Sequence, residues 1–151
     1  MDNGTRWLDA REMRAWRCFV ETQGDLMTAI EADLAPVGLT LGDYQVLVFL
    51  SEADSRRMRM TDLADMLQLS PSGLTRRLDN LVRRGFVCRE GSADDRRVML
   101  AVLTDEGWNA LDAAAPAHVD SVRTHLVDLL DDAELEALAR IFDKVRHALD
   151  D

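Results

Sequence analysis

Apolar residues recur at helical intervals along the first third of the chain. Asp9, followed three residues later by Glu12, has the spacing of a capping box. The apolar positions after it predict an amphipathic helix that runs to about residue 36. Thr40 is a good N-cap for a second helix, LGDYQVLVFLSEA, whose near-continuous apolar run is typical of a helix buried on most sides.

Two short helices and two strands are predicted in the middle of the chain. After the segment DSRRMRM, interpreted as a connector, TDLADMLQL forms a short helix, and Ser70 with Pro71 begins another that ends at Gly85. Residues 86–90 and 98–103 have the composition of strands, and the polar loop GSADDRR joins them. The sequence therefore predicts a helix-turn-helix followed by a β-hairpin.

The last third of the chain predicts two more helices. One runs from Thr104 through Leu130, with a kink expected at Pro116, and the other begins at Asp131 or Asp132 and ends near Leu149. Their apolar residues step by 3 and 4, which indicates a helix–helix seam: Val119, Val122, Leu126, Leu129, Leu135, Leu138, Phe142, Val145 and Leu149. The two helices could pack on each other within one chain. We favour a homodimer, because so few elements leave little core to cover both stripes.

Charge is distributed unevenly along the chain. The whole sequence has a formal net charge of −10, but residues 55–97 carry 10 basic and 6 acidic side chains. Nearly all basic residues are arginine, whose planar guanidinium binds phosphate or guanine through two hydrogen bonds. The acidic segments on either side do not cancel this charge where they lie beyond a Debye length, about 8 Å at physiological salt. The basic segment therefore indicates a nucleic acid partner.

The helix that begins at Ser70 is strongly two-sided. At 100° per residue, Leu74, Leu78 and Leu81 share one face, and the polar side chains project from the opposite face and its flanks. A helix held in this way by a shorter helix is the geometry that enters the DNA major groove. Its candidate DNA-contacting residues are Ser70, Ser72, Thr75, Arg76, Arg77, Asn80 and Arg83.

The hairpin loop supplies a second candidate DNA contact. Arg96 and Arg97 lie at its tip, and a projecting arginine suits the narrow, electronegative minor groove. Asp95, two residues before Arg97, is predicted to hold that guanidinium in a fixed orientation. A run of exposed arginines alone is usually a solvated surface, so the prediction depends on finding helix and loop together.

Two motifs resemble the multiple-antibiotic-resistance regulator (MarR) family of winged helix-turn-helix proteins. They are MTDLADMLQLSPSGLTRRLDNLVRRGFVCRE and DDRRVMLAVLTDEG, which follow each other in the family's order and spacing. The resemblance implies a mainly α fold with a small β-hairpin wing in a single domain, 1–151. A DNA-binding region would span 40–103, and dimerisation helices would span 9–36 and 104–149.

The resemblance also implies partners. The chain would act as a homodimeric regulator, a repressor in function, that binds double-stranded DNA at a palindromic operator and releases it when a small aromatic effector enters a crevice. Trp16, Phe19, Tyr44 and His118 are the candidate lining residues. The aromatic side chains could instead belong to the core, and His118 could be a surface histidine.

Other chemistry receives little support from the sequence. Motifs of common enzyme classes are absent, so neither enzymatic activity nor a cofactor is expected. Cys18 is interpreted as an inert buried thiol. His118 and His125 are about 10 Å apart along a helix, too far to share a metal without other ligands.

Cysteine usage and the lack of a long apolar stretch favour a cytoplasmic protein outside the membrane. The alternative is a winged-helix module that binds protein rather than DNA.

Overall fold

The computed structural model describes residues 4–150 and contains two compact units. Unit 1 comprises the residues up to Ile30 and those from Ser121 onward, and unit 2 comprises Glu31–Asp120. The helices and strands are α1 (Ala10–Leu34), α2 (Leu41–Glu52), β1 (Arg57–Arg59), α3 (Met60–Met66), α4 (Pro71–Arg83), β2 (Val87–Gly91), β3 (Met99–Leu103), α5 (Asp105–His125) and α6 (Asp132–Asp150). Three short 3₁₀ turns, Ala35–Val37, Asp54–Arg56 and Val127–Leu129, complete them. The predicted mainly α fold with a small wing is confirmed.

Side-chain caps fix the starts of the first two helices. The backbone N–H of Asp9 donates to Glu12 Oε2 at 2.9 Å, and the N–H of Glu12 donates to Asp9 Oδ1 at 2.8 Å. At α2, Thr40 Oγ1 accepts from the N–H of Asp43 at 3.0 Å. Each cap satisfies N–H groups that have no partner inside their helix. Both predicted caps are confirmed.

Unit 2 has a core in which α2 is largely enclosed, as predicted. Val46, Leu47 and Leu50 on α2 are fully buried, together with Leu63 on α3 and Val87 on β2. Removing these side chains from water supplies the main stabilisation of the unit, at about 25 cal/mol per Å² of apolar surface. The buried core thus fixes the positions of α4 and the sheet within unit 2.

The sheet contains a strand that the sequence pattern did not predict. Its order is β1–β3–β2, with antiparallel pairing throughout. Arg57–Arg59, interpreted above as part of a connector, pairs with β3 so that Arg57 lies opposite Val102. Val87 lies opposite Leu103 on the other side of β3. The connector interpretation is wrong because the hydrogen bonds of β1 come from a strand more than 40 residues away.

The predicted ends of two helices also need correction. The expected helix through Leu130 stops at His125, because Leu126 leaves the helical region with φ −141° and ψ −63°. Asp131 then forms a reciprocal capping box that starts α6. Helix α5 continues through Pro116 as one element. Helix α3 ends at Met66, before the positive φ of Gln68.

Apolar side chains of unit 1 remain exposed in the single chain. Phe19 on α1 packs against Phe142 on α6, with ring centroids 5.6 Å apart, yet both residues remain more than 40% exposed. Val145 and Leu149 on α6 are also exposed. Five of the nine predicted seam residues are therefore exposed within the described part of one chain, and the other four, Val122, Leu126, Leu135 and Leu138, are half-buried.

Among residues 4–150, no single helix is both long and apolar enough to cross a membrane. Helices Ala10–Val37 and Leu41–Glu52 pass that length and composition test only as a pair bent by 80°.

Candidate nucleic-acid interface

Local interactions set the start and end of α4. Ser70 Oγ accepts a hydrogen bond from the N–H of Gly73 at 3.1 Å, and Pro71 occupies the first helical position. The helix ends at Arg83, and Gly85 follows with a φ of +77°, which favours glycine. The predicted boundaries of this helix are confirmed.

The two faces of α4 are as the helical spacing predicts. Leu74, Leu78 and Leu81 are buried at the inner face. The polar residues predicted for the outer face and its flanks are either exposed or half-buried: Ser72, Thr75, Arg76 and Arg83 are exposed, and Arg77 and Asn80 are half-buried. Helix α4 thus presents hydrogen-bonding side chains outward from a fixed apolar base.

Hydroxyl groups at the start of α4 also contact one another. Ser70 Oγ and Ser72 Oγ are 3.2 Å apart, and the Thr75 hydroxyl donates to the carbonyl oxygen of Pro71 at 3.0 Å. All three hydroxyl-bearing residues are exposed. Their rotamers are therefore partly set before any ligand arrives.

Arg77 contacts the first turn of α2. Its Nη1 lies 3.7 Å from Asp43 Oδ1 and donates to Thr40 Oγ1 at 3.5 Å. The Asp43 side chain is only 7% exposed, so Arg77 compensates a nearly buried charge. Gly42 allows the close approach, since a Cβ there would lie 1.9 Å from Arg77 Nη1. The sequence prediction did not include this contact.

An open groove lies between α4 and the start of α2. Its volume is about 410 Å³, and Arg76 and Asn80 border it together with Arg77. The two residues predicted to recognise bases therefore lie on the same side of α4, next to the residue that anchors the helix. Arg76 and Asn80 are separated by about one helical turn.

Arg89 connects the wing to α4. Its Nη2 donates to Asp79 Oδ1 at 2.7 Å and to the carbonyl oxygen of Thr75 at 3.2 Å. Sequence reasoning missed this pair. Two signals were available in the sequence. Arg89 lies two residues after Val87 and so shares its face of β2, and Asp79 is the only acidic residue in α4.

The wing loop holds the predicted Asp95–Arg97 contact. Arg97 donates to Asp95 through its backbone N–H at 3.0 Å, its Nε at 3.2 Å and its Nη2 at 3.3 Å. The backbone and side-chain hydrogen bonds from Arg97 lower the pKa of Asp95, so this carboxylate stays ionised. The Arg97 side chain is 91% exposed, and Arg96 beside it is exposed as well. The loop therefore presents one oriented guanidinium and a second arginine to solvent.

The four candidate effector residues form one pair in each unit. Trp16 and Phe19 are neighbours on α1 in unit 1, with ring centroids 6.1 Å apart, and both are exposed in the single chain. In unit 2 the rings of Tyr44 and His118 are 4.3 Å apart. Tyr44 is buried and His118 is half-buried, so the alternative of a surface histidine is wrong.

Burial changes the titration of the Tyr44–His118 pair. It raises the pKa of Tyr44 and lowers the pKa of His118, because desolvation disfavours the charged form of each. His118 Nδ1 is buried and has no hydrogen-bond partner within the described residues. His118 is therefore neutral near pH 7, with one ring nitrogen unsatisfied.

The cysteines offer no metal or redox cluster. Cys18 is exposed in the chain, so the expectation of a buried thiol is wrong: its side chain lies on a face of α1 that unit 1 does not cover. Burial, followed by the charge of Glu90, raises the pKa of Cys88. No group of three His, Cys, Asp or Glu side chains within residues 4–150 could hold a metal ion.

Comparison with known proteins places this geometry in a family. Residues 37–98 match a family model described as MarR family. The crystal structure of AbsC, a MarR family transcriptional regulator from Streptomyces coelicolor, is 41% identical to the chain with a TM-score of 0.91. The match covers 96% of this chain and 98% of AbsC. The chain belongs to the MarR family of transcriptional regulators.

Two further relatives add detail to the MarR assignment. Sco3205 of Streptomyces coelicolor, a MarR family regulator solved in complex with DNA, is 36% identical with a TM-score of 0.91, over 96% of this chain and 92% of that one. The transcriptional repressor YetL of Bacillus subtilis is 26% identical, over 91% of this chain and 84% of YetL. The predicted family and its winged helix-turn-helix fold are confirmed.

Proposed function

We propose that this MarR family protein is a homodimeric, cytoplasmic repressor that binds a palindromic operator in double-stranded DNA. Helix α4 of each protomer enters a major groove, and each wing enters the adjacent minor groove. The description of Sco3205 as a DNA complex supports the nucleic acid partner, and the description of YetL as a repressor supports the sign of regulation.

The outer face of α4 carries the proposal. Its exposed polar side chains stand on a buried leucine base, and the wing arginines belong to the same unit. Arg76 binds guanine O6 and N7, and Asn80 binds adenine, each through two hydrogen bonds. The remaining proposed DNA contacts are to phosphates or groove edges: Ser72, Thr75, Arg83, Arg96 and Arg97.

Three of the predicted residues position others in this proposal. Ser70 caps α4, and Arg77 anchors α4 to Asp43 rather than contacting DNA. Asp95 fixes the Arg97 guanidinium, which lowers the entropy that Arg97 loses when it enters a groove. Substituting any of these three residues would therefore change DNA binding only indirectly, by altering the position of the residues that contact DNA.

The exposed apolar residues of unit 1 support the dimer. Trp16, Phe142, Val145 and Leu149 are exposed in the single chain, and a contiguous exposed apolar surface of this kind is typical of an interface. A second copy buries the same surface symmetrically. Light scattering should give about twice the chain mass of 17.0 kDa at micromolar concentration, and a monomer there contradicts the dimer.

DNA binding is tested by fluorescence anisotropy with an operator selected from a random duplex library. Arg76→Ala and Arg97→Ala should each weaken binding by roughly 10-fold or more, because Arg76 loses a bidentate base contact of about 1–3 kcal/mol and Arg97 loses its contact in the minor groove. Arg140→Ala, which removes an exposed arginine from α6, is the matched control. Unchanged affinity in both test variants would refute the assignment.

The alternative is a winged-helix module that binds protein. Such a module would ignore duplex DNA or bind it with little dependence on salt, whereas phosphate contacts make log K fall linearly with log salt concentration. A steep negative slope for the wild-type chain therefore separates the two functions.

An effector response forms the final part of the proposal. The unsatisfied Nδ1 of His118 beside the Tyr44 ring suits a small aromatic compound that carries a hydroxyl donor. A panel of hydroxybenzoates should include one that weakens operator binding for the wild-type chain but not for His118→Phe. Equal release from both proteins would remove His118 from the effector site.

A further inference from the structure

Strand β1 carries two arginines on one face of the sheet. Arg57 and Arg59 are two residues apart in the strand, so their side chains project from the same face. Residues directly opposite each other in a sheet also project to the same side. Arg59 lies opposite Leu100, which lies opposite Glu90 on β2. Both arginines and Glu90 therefore share one face.

Only one of these arginines is neutralised. Arg57 Nη1 forms an ion pair with Glu90 Oε2 at 3.6 Å, across the central strand β3. Within residues 4–150, Arg59 makes no ion pair, and its side chain is exposed. Arg59 thus keeps an exposed guanidinium that no carboxylate in the described residues pairs with directly.

Arg59 also occupies a position where another residue type would stabilise the fold. It is the N-cap of α3, with φ −60° and ψ 141°, and it makes no side-chain cap hydrogen bond. Thr40 and Ser70 make such bonds at α2 and α4. Serine, threonine, asparagine or aspartate is preferred at an N-cap, so the chain forgoes local stability at Arg59. Departures from local preference of this kind concentrate at functional sites.

The register places Arg59 at the wing end of the sheet. Its partner Leu100 is the second residue of β3, and the wing loop ends immediately before that strand. The positive charge of Arg59 adds to the Arg97 hydrogen bonds in lowering the pKa of Asp95. Arg59 and the wing tip therefore share one electrostatic environment.

We propose that Arg59 contacts a backbone phosphate of the operator beside the groove that the wing enters, so that the interface extends from α4 and the wing onto β1. This inference rests on the proposed DNA-binding function. A phosphate contact carries no direct base information, so Arg59 adds affinity to every duplex equally.

The test uses Arg59→Ser, which removes the charge and introduces a good N-cap. Its melting temperature should rise, because the serine oxygen can accept from a first-turn N–H of α3. Its affinity for the selected operator and for a scrambled duplex should fall by the same factor, on the order of 10-fold per lost phosphate contact at 0.1 M salt. The slope of log K against log salt should become shallower by about 0.9 per protomer.

Two further variants make the result specific. Arg59→Lys should restore most of the slope, since a phosphate accepts a point charge, and Arg140→Ser should behave as wild type. If Arg59→Ser binds both duplexes with the wild-type affinity and slope, Arg59 makes no DNA contact, while the α4 and wing assignment stands. If the wild-type chain binds no duplex at low salt, both the inference and the proposed function are overturned.

Discussion

We expect two adjacent arginines of α4 to respond to substitution in opposite ways. Arg77→Met should destabilise the fold and leave DNA binding nearly unchanged, whereas Arg76→Met should weaken DNA binding and leave stability nearly unchanged. The difference arises because Arg77 pairs with Asp43 and Arg76 is exposed on the outer face. Methionine retains an apolar stem of similar length, so the substitution tests mainly the charge.

The magnitude follows from the ion-pair geometry. Two unit charges 3.7 Å apart interact by roughly 4 kcal/mol at an effective dielectric constant of about 20. The Arg77 side chain is 32% exposed, so solvent screens part of this energy, and ordering a long side chain costs up to about 2 kcal/mol. Because Asp43 would remain nearly buried without its partner, we expect Arg77→Met to lower the free energy of unfolding by about 2 kcal/mol.

Urea denaturation followed by circular dichroism measures this change at one fixed protomer concentration. A double-mutant cycle with Asp43→Asn isolates the pair, and the coupling energy should exceed about 1 kcal/mol. DNA affinity is then measured in the absence of urea, where Arg77→Met remains folded. We expect less than about 3-fold loss for Arg77→Met and roughly 10-fold or more for Arg76→Met.

A coupling energy near zero would show that Arg77 and Asp43 do not stabilise the fold together. Equal losses of DNA affinity in the two variants would show that Arg77 contacts DNA as the sequence first suggested. Either result would refute the division of roles between the neighbouring arginines.

Three other perturbations give expected outcomes. Gly107→Ala would place a Cβ 2.1 Å from the carbonyl oxygen of Phe86, so we expect destabilisation of about 3 kcal/mol by thermal melting, and a wild-type melting temperature would contradict the contact. Asp95→Ala should weaken operator binding although it removes a negative charge, because Arg97 loses its fixed orientation; tighter binding would disprove this role. Burial lowers the pKa of His118, so the unfolded chain binds more protons and stability should fall as pH decreases from 7 to 5. His118→Phe should flatten that pH dependence of the unfolding free energy, and an unchanged slope would assign it to other groups.

The parts of the fold that were predicted correctly are those determined by residues close together in the sequence. The capping pair Asp9 and Glu12 and the Ser70–Pro71 start of α4 each act within one helical turn, so residue type alone identifies them. The wing strands were predicted to within one residue at each end, because their boundaries are set by Gly85 and the polar loop.

Contacts between distant residues account for what the sequence missed. Strand β1 contains two arginines in three residues and becomes a strand only because β3 pairs with it. The contact of Arg77 with Asp43 joins residues 34 positions apart, and the helical wheel placed Arg77 only on a flank. Whether Cys18 is exposed depends on which elements pack against α1. The spacing of apolar residues within α1 does not identify those elements.

The three-stranded sheet constrains how this module can change during evolution. Strand β1 leads directly into α3, and β2 follows α4 after a short turn, so both ends of the helix-turn-helix are attached to the edge strands that flank β3. Arg89 adds a side-chain link from β2 to the middle of α4. A change in the tilt of α4 would disrupt these strand attachments and the Arg89 hydrogen bonds, whereas replacing an outward-facing side chain would leave them intact. New operator preferences should therefore arise by replacement of residues such as Arg76 and Asn80, with the angle of the helix kept constant.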